Sequence, residues 1–235
     1  MKKFSKDYHD YVFREGKLVG EFEAMYQNSE GVPWHQDEQE EWVDVRLTSE
    51  MLKDIGPYDE IHDLGCGLGH YLALMKSRVG ADNCRCVGYD ISETACVKAK
   101  QAWPEFDFFQ LDLTISANPQ SAIRNPQSAI RNPQSAIRKL FIIRGTLWYV
   151  FPKLDIVINA IRGLMNDGDK LLVVQNFPPL SGSFIGKDVI PNHHALIKHF
   201  SSAFLPVRHI WYEDTLKSAN DNWFIGLFSI NTIQG

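Results

Sequence analysis

The run Ile61-His62-Asp63-Leu64-Gly65-Cys66-Gly67-Leu68-Gly69-His70 constrains this chain more than any other stretch. A short apolar strand ends in an acid, three glycines alternate, and an amphipathic helix follows. Glycine admits backbone angles and close approaches that a Cβ would forbid. Such a bend brings a ligand against bare backbone N–H groups and a helix start, at the carboxyl end of a strand. From Ile61 onward strand-like and helix-like runs alternate, which predicts a parallel sheet covered on both faces.

The spacing of the glycines selects among nucleotide ligands. A dinucleotide loop reads G-x-G-x-x-G/A, with an acid about 20 residues on. Counted from Gly65, the third required position falls on His70, which is neither Gly nor Ala. The chain instead carries D-x-G-x-G-x-G from Asp63 to Gly69. A second strand, Cys86-Val87-Gly88-Tyr89, ends at Asp90, and a third, Phe106 to Leu111, ends at Asp112. Together these residues resemble the class I S-adenosylmethionine-dependent methyltransferases. The resemblance implies S-adenosyl-L-methionine as cofactor. By the same resemblance Gly65, Gly67 and Gly69 shape the methionine-side loop and Asp63 steadies it. Asp90 would bind the ribose hydroxyls and Asp112 the adenine region. A carboxylate suits a ribose diol because it accepts two hydrogen bonds at once. The alternative is that Asp90 and Asp112 are turn or cap residues, since Ser92 is a plausible helix N-cap.

Further elements follow in order. Helices are predicted from about Gly69 to Arg78 and from Ser92 to just before Pro104, which cannot continue a helix. Leu140 to Ile143 reads as a fourth strand. A helix begins near Pro152, with Leu154, Val157, Ile158, Ile161 and Met165 at helical spacing, and Asn166-Asp167-Gly168 stops it. Lys170 to Val174 is a fifth strand. After a helix over Ala195 to Phe204 come two strand-like runs, Val207 to Trp211 and Trp223 to Ile230. Only the loop-like stretch 218–222 separates them, so an antiparallel pair is expected to close the sheet. The expected fold is α/β: a Rossmann-like, doubly wound, seven-stranded sheet, mostly parallel, with an antiparallel C-terminal pair. A dinucleotide dehydrogenase would continue with parallel strands instead. Residues 57–235 form the methyltransferase-like domain on this reading, and residues 1–56 an N-terminal helical extension.

That extension holds Tyr8, Tyr11, Phe13, Phe22, Tyr26, Trp34 and Trp42 among acids. They suit the core of a small helical layer, or a lid over the ligand whose working part is Tyr26 and the Trp34-His35-Gln36 turn. Tyr26 and the Pro33-Trp34 pair resemble bacterial enzymes that methylate amino sugars. The run Asp37-Glu38-Gln39-Glu40-Glu41 reads as a solvated helix face.

Residues 118–138 are three identical copies of Asn-Pro-Gln-Ser-Ala-Ile-Arg. Pro119, Pro126 and Pro133 exclude a coiled coil despite the period of seven. The run reads as an exposed loop where a crossover between the third and fourth strands must pass. Arg138 and Lys139 stand where methyltransferases commonly begin the fourth strand with an aromatic-Asp pair. Both departures lie beside Asp112.

Methyl transfer from a sulfonium is an in-line displacement, and the protein mainly binds, aligns and desolvates. The fourth strand leads into Arg144-Gly145-Thr146-Leu147-Trp148-Tyr149. Arg144 suits an anionic substrate or the cofactor carboxylate, and Trp148 or Tyr149 a pocket wall. The alternative is that Leu147, Trp148 and Tyr149 begin core packing. His193 and His194 are candidate bases because histidine titrates near neutrality. They are not a metal signature, and no metal is expected. A small-molecule acceptor methylated at O or N, such as a sugar or amine, is the expected substrate. The net charge of −5 offers no general attraction for nucleic acid or anionic membrane. The four cysteines form no C-x-x-C pair, and neither a membrane-length apolar run nor a signal-peptide core appears. A cytoplasmic protein is expected. Two competing functions remain, a nicotinamide-dependent oxidoreductase and a non-catalytic methyltransferase fold whose adenine pocket the repeat has damaged.

Overall fold

The computed structural model of the protein describes residues 5–115, 137–215 and 222–230. The chain opens with α1 (His9–Val12), a two-residue-per-strand hairpin of β1 (Phe13–Arg14) and β2 (Lys17–Leu18), and α2 (Phe22–Asn28). A 3-10 turn over Pro33–Glu38 leads to α3 (Val43–Leu52). The main sheet then begins with β3 (Tyr58–Leu64), followed by α4 (His70–Val79), β4 (Gly80–Asp90), α5 (Glu93–Ala102) and β5 (Asp107–Gln110). Next come β6 (Lys139–Arg144), α6 (Leu147–Val150), α7 (Leu154–Leu164) and β7 (Lys170–Phe177). The chain closes with α8 (His193–Phe200), β8 (Phe204–Tyr212) and β9 (Asn222–Ile230).

Seven strands lie in the order β5-β4-β3-β6-β7-β9-β8. All neighbours from β5 to β7 are parallel, and β9 runs antiparallel to both β7 and β8. Successive strands step one way from β3 to β5 and the other way from β3 through β6 to β7. The order therefore reverses between β3 and β6. At such a switch point the connections leave on opposite faces, and a crevice opens at the carboxyl ends of the strands.

The near-continuous apolar strands follow from burial on both faces. On one face α4 inserts Tyr71, Leu72 and Met75, and α3 inserts Val45 and Leu52, against Ile61, Ile142 and Val174. On the other, Val157, Ile158 and Ile161 of α7 and Leu196 and Phe200 of α8 meet Val87, Phe141 and Val173. Each fully buried aliphatic side chain contributes about 1.5–3 kcal/mol. The last helix starts and ends earlier than its sequence suggests. The Asn192 side chain caps it by accepting from the Ala195 N–H at 3.0 Å, and Phe204 already belongs to β8. The Ser92 hydroxyl caps α5 in the expected way, accepting from Ala95 N–H at 3.1 Å.

Of the repeat, only Ile137 and Arg138 fall among the described residues, and so the expectation of an exposed crossover loop lies outside them. Residues 218–221 of the predicted β8–β9 connection lie outside them as well. Arg138 docks the entry to β6. Its N–H donates to Asp59 Oδ2 at 2.9 Å, and its carbonyl accepts from the N–H groups of Asp59 and Glu60. Lys139 pairs with Glu60 at 3.2 Å. The two basic residues thus satisfy acids at the amino end of β3, so they lie at the opposite end of the sheet from Asp112 and not beside it as expected.

The N-terminal segment folds onto the start of α5. Tyr11, Val12, Met25 and Tyr26 are buried together with Ala95. Glu23 accepts from the Ser92 hydroxyl at 2.6 Å and from Thr94 N–H at 3.2 Å. Tyr8, Phe13, Phe22 and Trp34 pack against this cluster, whereas Trp42 lies apart, beside Trp223. No helix among the described residues is long and apolar enough to cross a membrane.

Candidate active site

The glycine loop connects β3 to α4 and is tied from two directions. Gly65 and Cys66 N–H groups donate to the Tyr89 carbonyl at 2.7 and 2.9 Å. Gly67 N–H donates to Asp90 Oδ2 at 2.9 Å, and Leu68 N–H donates to Gln36 Oε1 at 3.0 Å. Two glycines are required by what surrounds them. At Gly65 (φ 85°) an added Cβ would lie 2.3 Å from Thr146 Oγ1. At Gly67 (φ 54°) it would lie 2.5 Å from Gln36 Nε2 and 2.7 Å from the Tyr26 hydroxyl. The N-terminal segment therefore presses directly on the loop. Gly69, at the N-cap of α4, packs against Trp103 and Phe108 rather than facing a ligand.

A cavity of about 640 Å³ opens at the carboxyl edge beside this loop. Asp63, Gly65, Asp90, Asp112, Arg144 and Tyr149 all line it, as do Tyr26, Trp34 and Trp148. These residues reach the cavity from four strand ends and from the N-terminal segment. Gly67 and Gly69 do not line the cavity.

The three acids differ in environment. Asp90 is buried, and its two oxygens accept from Gly67 and Ser92 N–H groups, each at 2.9 Å. Burial raises its pKa, and those two N–H groups oppose the rise. Each oxygen keeps a lone-pair site for a further donor. Asp90 is thus both the turn residue of the alternative reading and a cavity residue. Asp112 Oδ1 accepts from Thr114 N–H and hydroxyl at 2.8 and 2.7 Å. Asp63 is 3 % exposed, and burial pushes its pKa up to about 7, against the attraction of Arg144.

Trp34 and His35 take left-handed backbone angles (φ 55° and 49°), which cost about 1–3 kcal/mol each for ordinary residues. The turn places the Trp34 ring 5.4 Å from Tyr8, 5.8 Å from Tyr149 and 6.4 Å from Tyr26, between ring centroids. Burial raises the phenol pKa of Tyr26 and of Tyr149, so both are neutral donors near pH 7. Trp148 donates to the Asn176 carbonyl at 3.0 Å and packs edge-on against Phe177 and Phe184, so it serves the core as well as the cavity wall.

His193 and His194 do not line the cavity. His193 stacks on Trp211 at 4.3 Å, and its position follows from the N-cap at Asn192 rather than from any ligand. Gln39, read as part of a solvated run, is buried and accepts from Arg144 Nη1 at 2.6 Å. Gln39, Tyr71, Thr146 and Trp223 line the cavity, and Asp44 stands behind it as the partner of Arg144; the sequence reading assigns none of them to the site. A signal for Asp44 exists. It shares a helical face with Thr48, Met51 and Leu52, so an acid stands at a core position of α3.

Solved structures of similar fold include several methyltransferases. The N-methyltransferase NodS from Bradyrhizobium japonicum, solved with S-adenosyl-L-homocysteine, superposes with a TM-score of 0.55 at 15% identity, over 85% of this chain and 92% of that one. A SAM-dependent methyltransferase from Aquifex aeolicus gives 0.52 at 13% identity, over 83% and 94%. Human N-acetylserotonin methyltransferase, solved with SAM, gives 0.54 at 16% identity, over 91% of this chain and 56% of that one. No protein-family model matches the sequence, and no curated protein matches it. The chain has the fold of the class I SAM-dependent methyltransferases.

Proposed function

We propose that this protein is an S-adenosyl-L-methionine-dependent methyltransferase acting on an O or N atom of a small metabolite. The observation that carries this reading is the convergence of Asp63, Asp90 and Asp112 on one cavity at the switch point of the sheet. The donor set suits the cofactor. Asp90 retains acceptor capacity for a ribose diol, Asp112 stands at the end of β5 for the adenine side, and buried Asp63 calls for a cationic partner. When bound, the cofactor supplies an activated methyl group on a sulfonium. The neighbours solved with SAM or S-adenosyl-L-homocysteine share this fold and support the assignment.

The chain's own contribution is binding, alignment and exclusion of water. The acids lining the cavity favour a cationic ligand over its neutral product. Tyr26 and Tyr149 hold their protons and act as hydrogen-bond donors rather than bases. Among the described residues, the only histidine lining the cavity is His35, whose side chain is 66% exposed. The acceptor on this reading needs no buried histidine base: it is a neutral amine or a hydroxyl that passes its proton to solvent. Residues 1–56 act as a lid, with Tyr26, Trp34 and Gln36 as the parts that bear on the loop. Small-molecule acceptors such as sugars and amines enter beneath it, against Trp148.

The loop spacing and the reversed β9 both disfavour a nicotinamide oxidoreductase. The test is methyl transfer from labelled cofactor, screened across sugars, amines and carboxylates. Transfer to any acceptor, abolished in Asp90→Ala, is the expected result. Absence of transfer by a protein that still binds S-adenosyl-L-homocysteine would instead assign a non-catalytic binding fold.

A further inference from the structure

The cavity changes character along the sheet edge. Every acid that lines it, Asp63, Asp90 and Asp112, comes from the ends of β3, β4 and β5, on one side of the switch point. The other side is formed by β6, β7, β9 and the connection after β6. It contributes Arg144, Trp148, Tyr149, Asn176 and Trp223, and no acid among the described residues. Phe22 and Trp34 of the N-terminal segment close over Tyr149, with ring centroids 5.1 and 5.8 Å away. Polar groups on this side are already engaged. Arg144 donates to Asp44 and Gln39 at 2.7 and 2.6 Å. The Asn176 carbonyl accepts from Trp148 Nε1 at 3.0 Å, and its Oδ1 accepts from Gln175 Nε2 at 3.1 Å. The Tyr149 hydroxyl is hydrogen-bonded to the Trp34 side chain. Trp34 holds its ring here with a left-handed backbone (φ 55°), the kind of strain that gathers at ligand clamps.

We propose that this side takes a planar aromatic acceptor carrying a ring hydroxyl, ahead of sugars and alkyl amines, and that Trp34 and Trp148 set the preference. The inference rests on the methyltransferase reading above and narrows its acceptor. An alkyl amine arrives as a cation and needs an acid, and this side offers none. A sugar carries a hydroxyl on most of its carbons, and each one buried needs a partner that the engaged groups do not supply. A flat ring asks for neither, and ring walls receive it in offset or edge-on contact. The proton points the same way. Tyr26 and Tyr149 keep their own protons, and no buried histidine lines the cavity among the described residues. A ring hydroxyl has a pKa of about 10, as tyrosine shows, and loses its proton to solvent without a base. An alkyl or sugar hydroxyl is a much weaker acid and needs a base in place. The phenolate oxygen forms the new bond to the methyl carbon. The carbon–sulfur bond breaks with its electron pair left on sulfur, so a sulfonium and a phenolate become a neutral thioether and a neutral ether.

The test measures kcat and KM of the full chain for 4-methylphenol, 4-methylcyclohexanol, cyclohexylamine and methyl glucoside. The phenol is expected to exceed each of the others in kcat/KM by about 100-fold or more. Across a set of substituted phenols, the pH at half-maximal kcat/KM should move with the acceptor's own pKa. Trp34→Leu and Trp148→Leu keep apolar bulk and remove a ring. Each should raise KM for the phenol about tenfold, the worth of one aromatic contact, with S-adenosyl-L-homocysteine affinity within about twofold of wild type. The ranking and the pH series are read on the wild type, so they decide the matter even where a variant fails to fold. Equal or better transfer to the cyclohexanol, the amine or the glucoside overturns the inference while leaving the methyltransferase reading in place. So does a pH midpoint that stays fixed across the phenols, or a phenol KM unchanged in both variants. No transfer to any acceptor, by a protein that binds S-adenosyl-L-homocysteine, overturns the methyltransferase reading itself.

Discussion

Two acids on one strand, Glu60 and Asp63, have opposite fates. Glu60, toward the amino end of β3, pairs with Lys139 at 3.2 Å and with His62 Nε2 at 3.2 Å. The His62 hydrogen bond is the larger cause that holds its pKa down at about 2. Asp63, at the carboxyl edge, has no such partner, and burial pushes it up to about 7. Both are almost fully buried, so burial alone does not separate them. Their partners do. A buried acid that the fold satisfies serves the fold, and a buried acid left unsatisfied beside a cavity marks a place for a ligand.

The sharpest way to break this contrast is Glu60→Ala. It leaves Lys139 and His62 without their carboxylate, and breaking a buried pair costs about 3 kcal/mol. Urea denaturation at pH 7 should show that loss, with S-adenosyl-L-homocysteine affinity within twofold of wild type. A large loss of binding would mean that the amino end serves the site.

Asp63→Asn should do the reverse. The Asp63 pKa is raised from 3.8 to about 7 in the folded state, so the folded protein holds a proton that the unfolded chain has released. Its penalty is absent below about pH 4, grows as pH rises, and is fully present above about pH 7. Without ligand, the variant should melt higher than wild type at pH 8 by roughly the effect of 1 kcal/mol or more, and the gap should close toward pH 4. It should also bind S-adenosyl-L-homocysteine about tenfold more weakly. A lower melting temperature at pH 8 would show that Asp63 is already satisfied. Glu60 runs the other way, since its contribution is present above its unfolded pKa and disappears as pH falls toward 2.

Gly67→Ala probes the contact between segment and loop. The added Cβ meets Gln36 and Tyr26, and the left-handed φ adds strain, for about 1–2 kcal/mol in all. Faster proteolysis of the N-terminal segment, with the sheet intact, is the expected result. Unchanged proteolysis would mean that the segment does not lean on the loop. The smallest effect belongs to His193→Ala. It loses stacking on Trp211, worth about 1 kcal/mol, and leaves methyl transfer within twofold. A hundredfold loss of transfer would bring the histidine back into the chemistry.

What could be read in the sequence was whatever lies close together in it. The D-x-G-x-G-x-G loop, the strand-end acids Asp90 and Asp112 and the apolar spacing of α7 are local patterns, and the order of strands follows from them. Asp44 and Arg144 meet across a sequence separation of 100 residues, and no local pattern announces that pairing. Gln39 was hidden among charged neighbours, since a run of acids carries no sign of which member turns inward. The histidine pair lies away from the cavity for a related reason. Histidine chemistry was legible, but the helix cap at Asn192 that points it away from the cavity depends on tertiary placement. Arg138 and Lys139 depart from the methyltransferase-like pattern, and their use is visible only beside Asp59 and Glu60.

The most direct measurement of the central claim is a pair of calorimetric titrations of the full chain, one with S-adenosyl-L-homocysteine and one with NADH. The carboxyl-edge acids and glycine loop predict saturable one-to-one binding of the first, lost in Asp90→Ala, and no binding of the second. Binding of NADH alone would contradict the account.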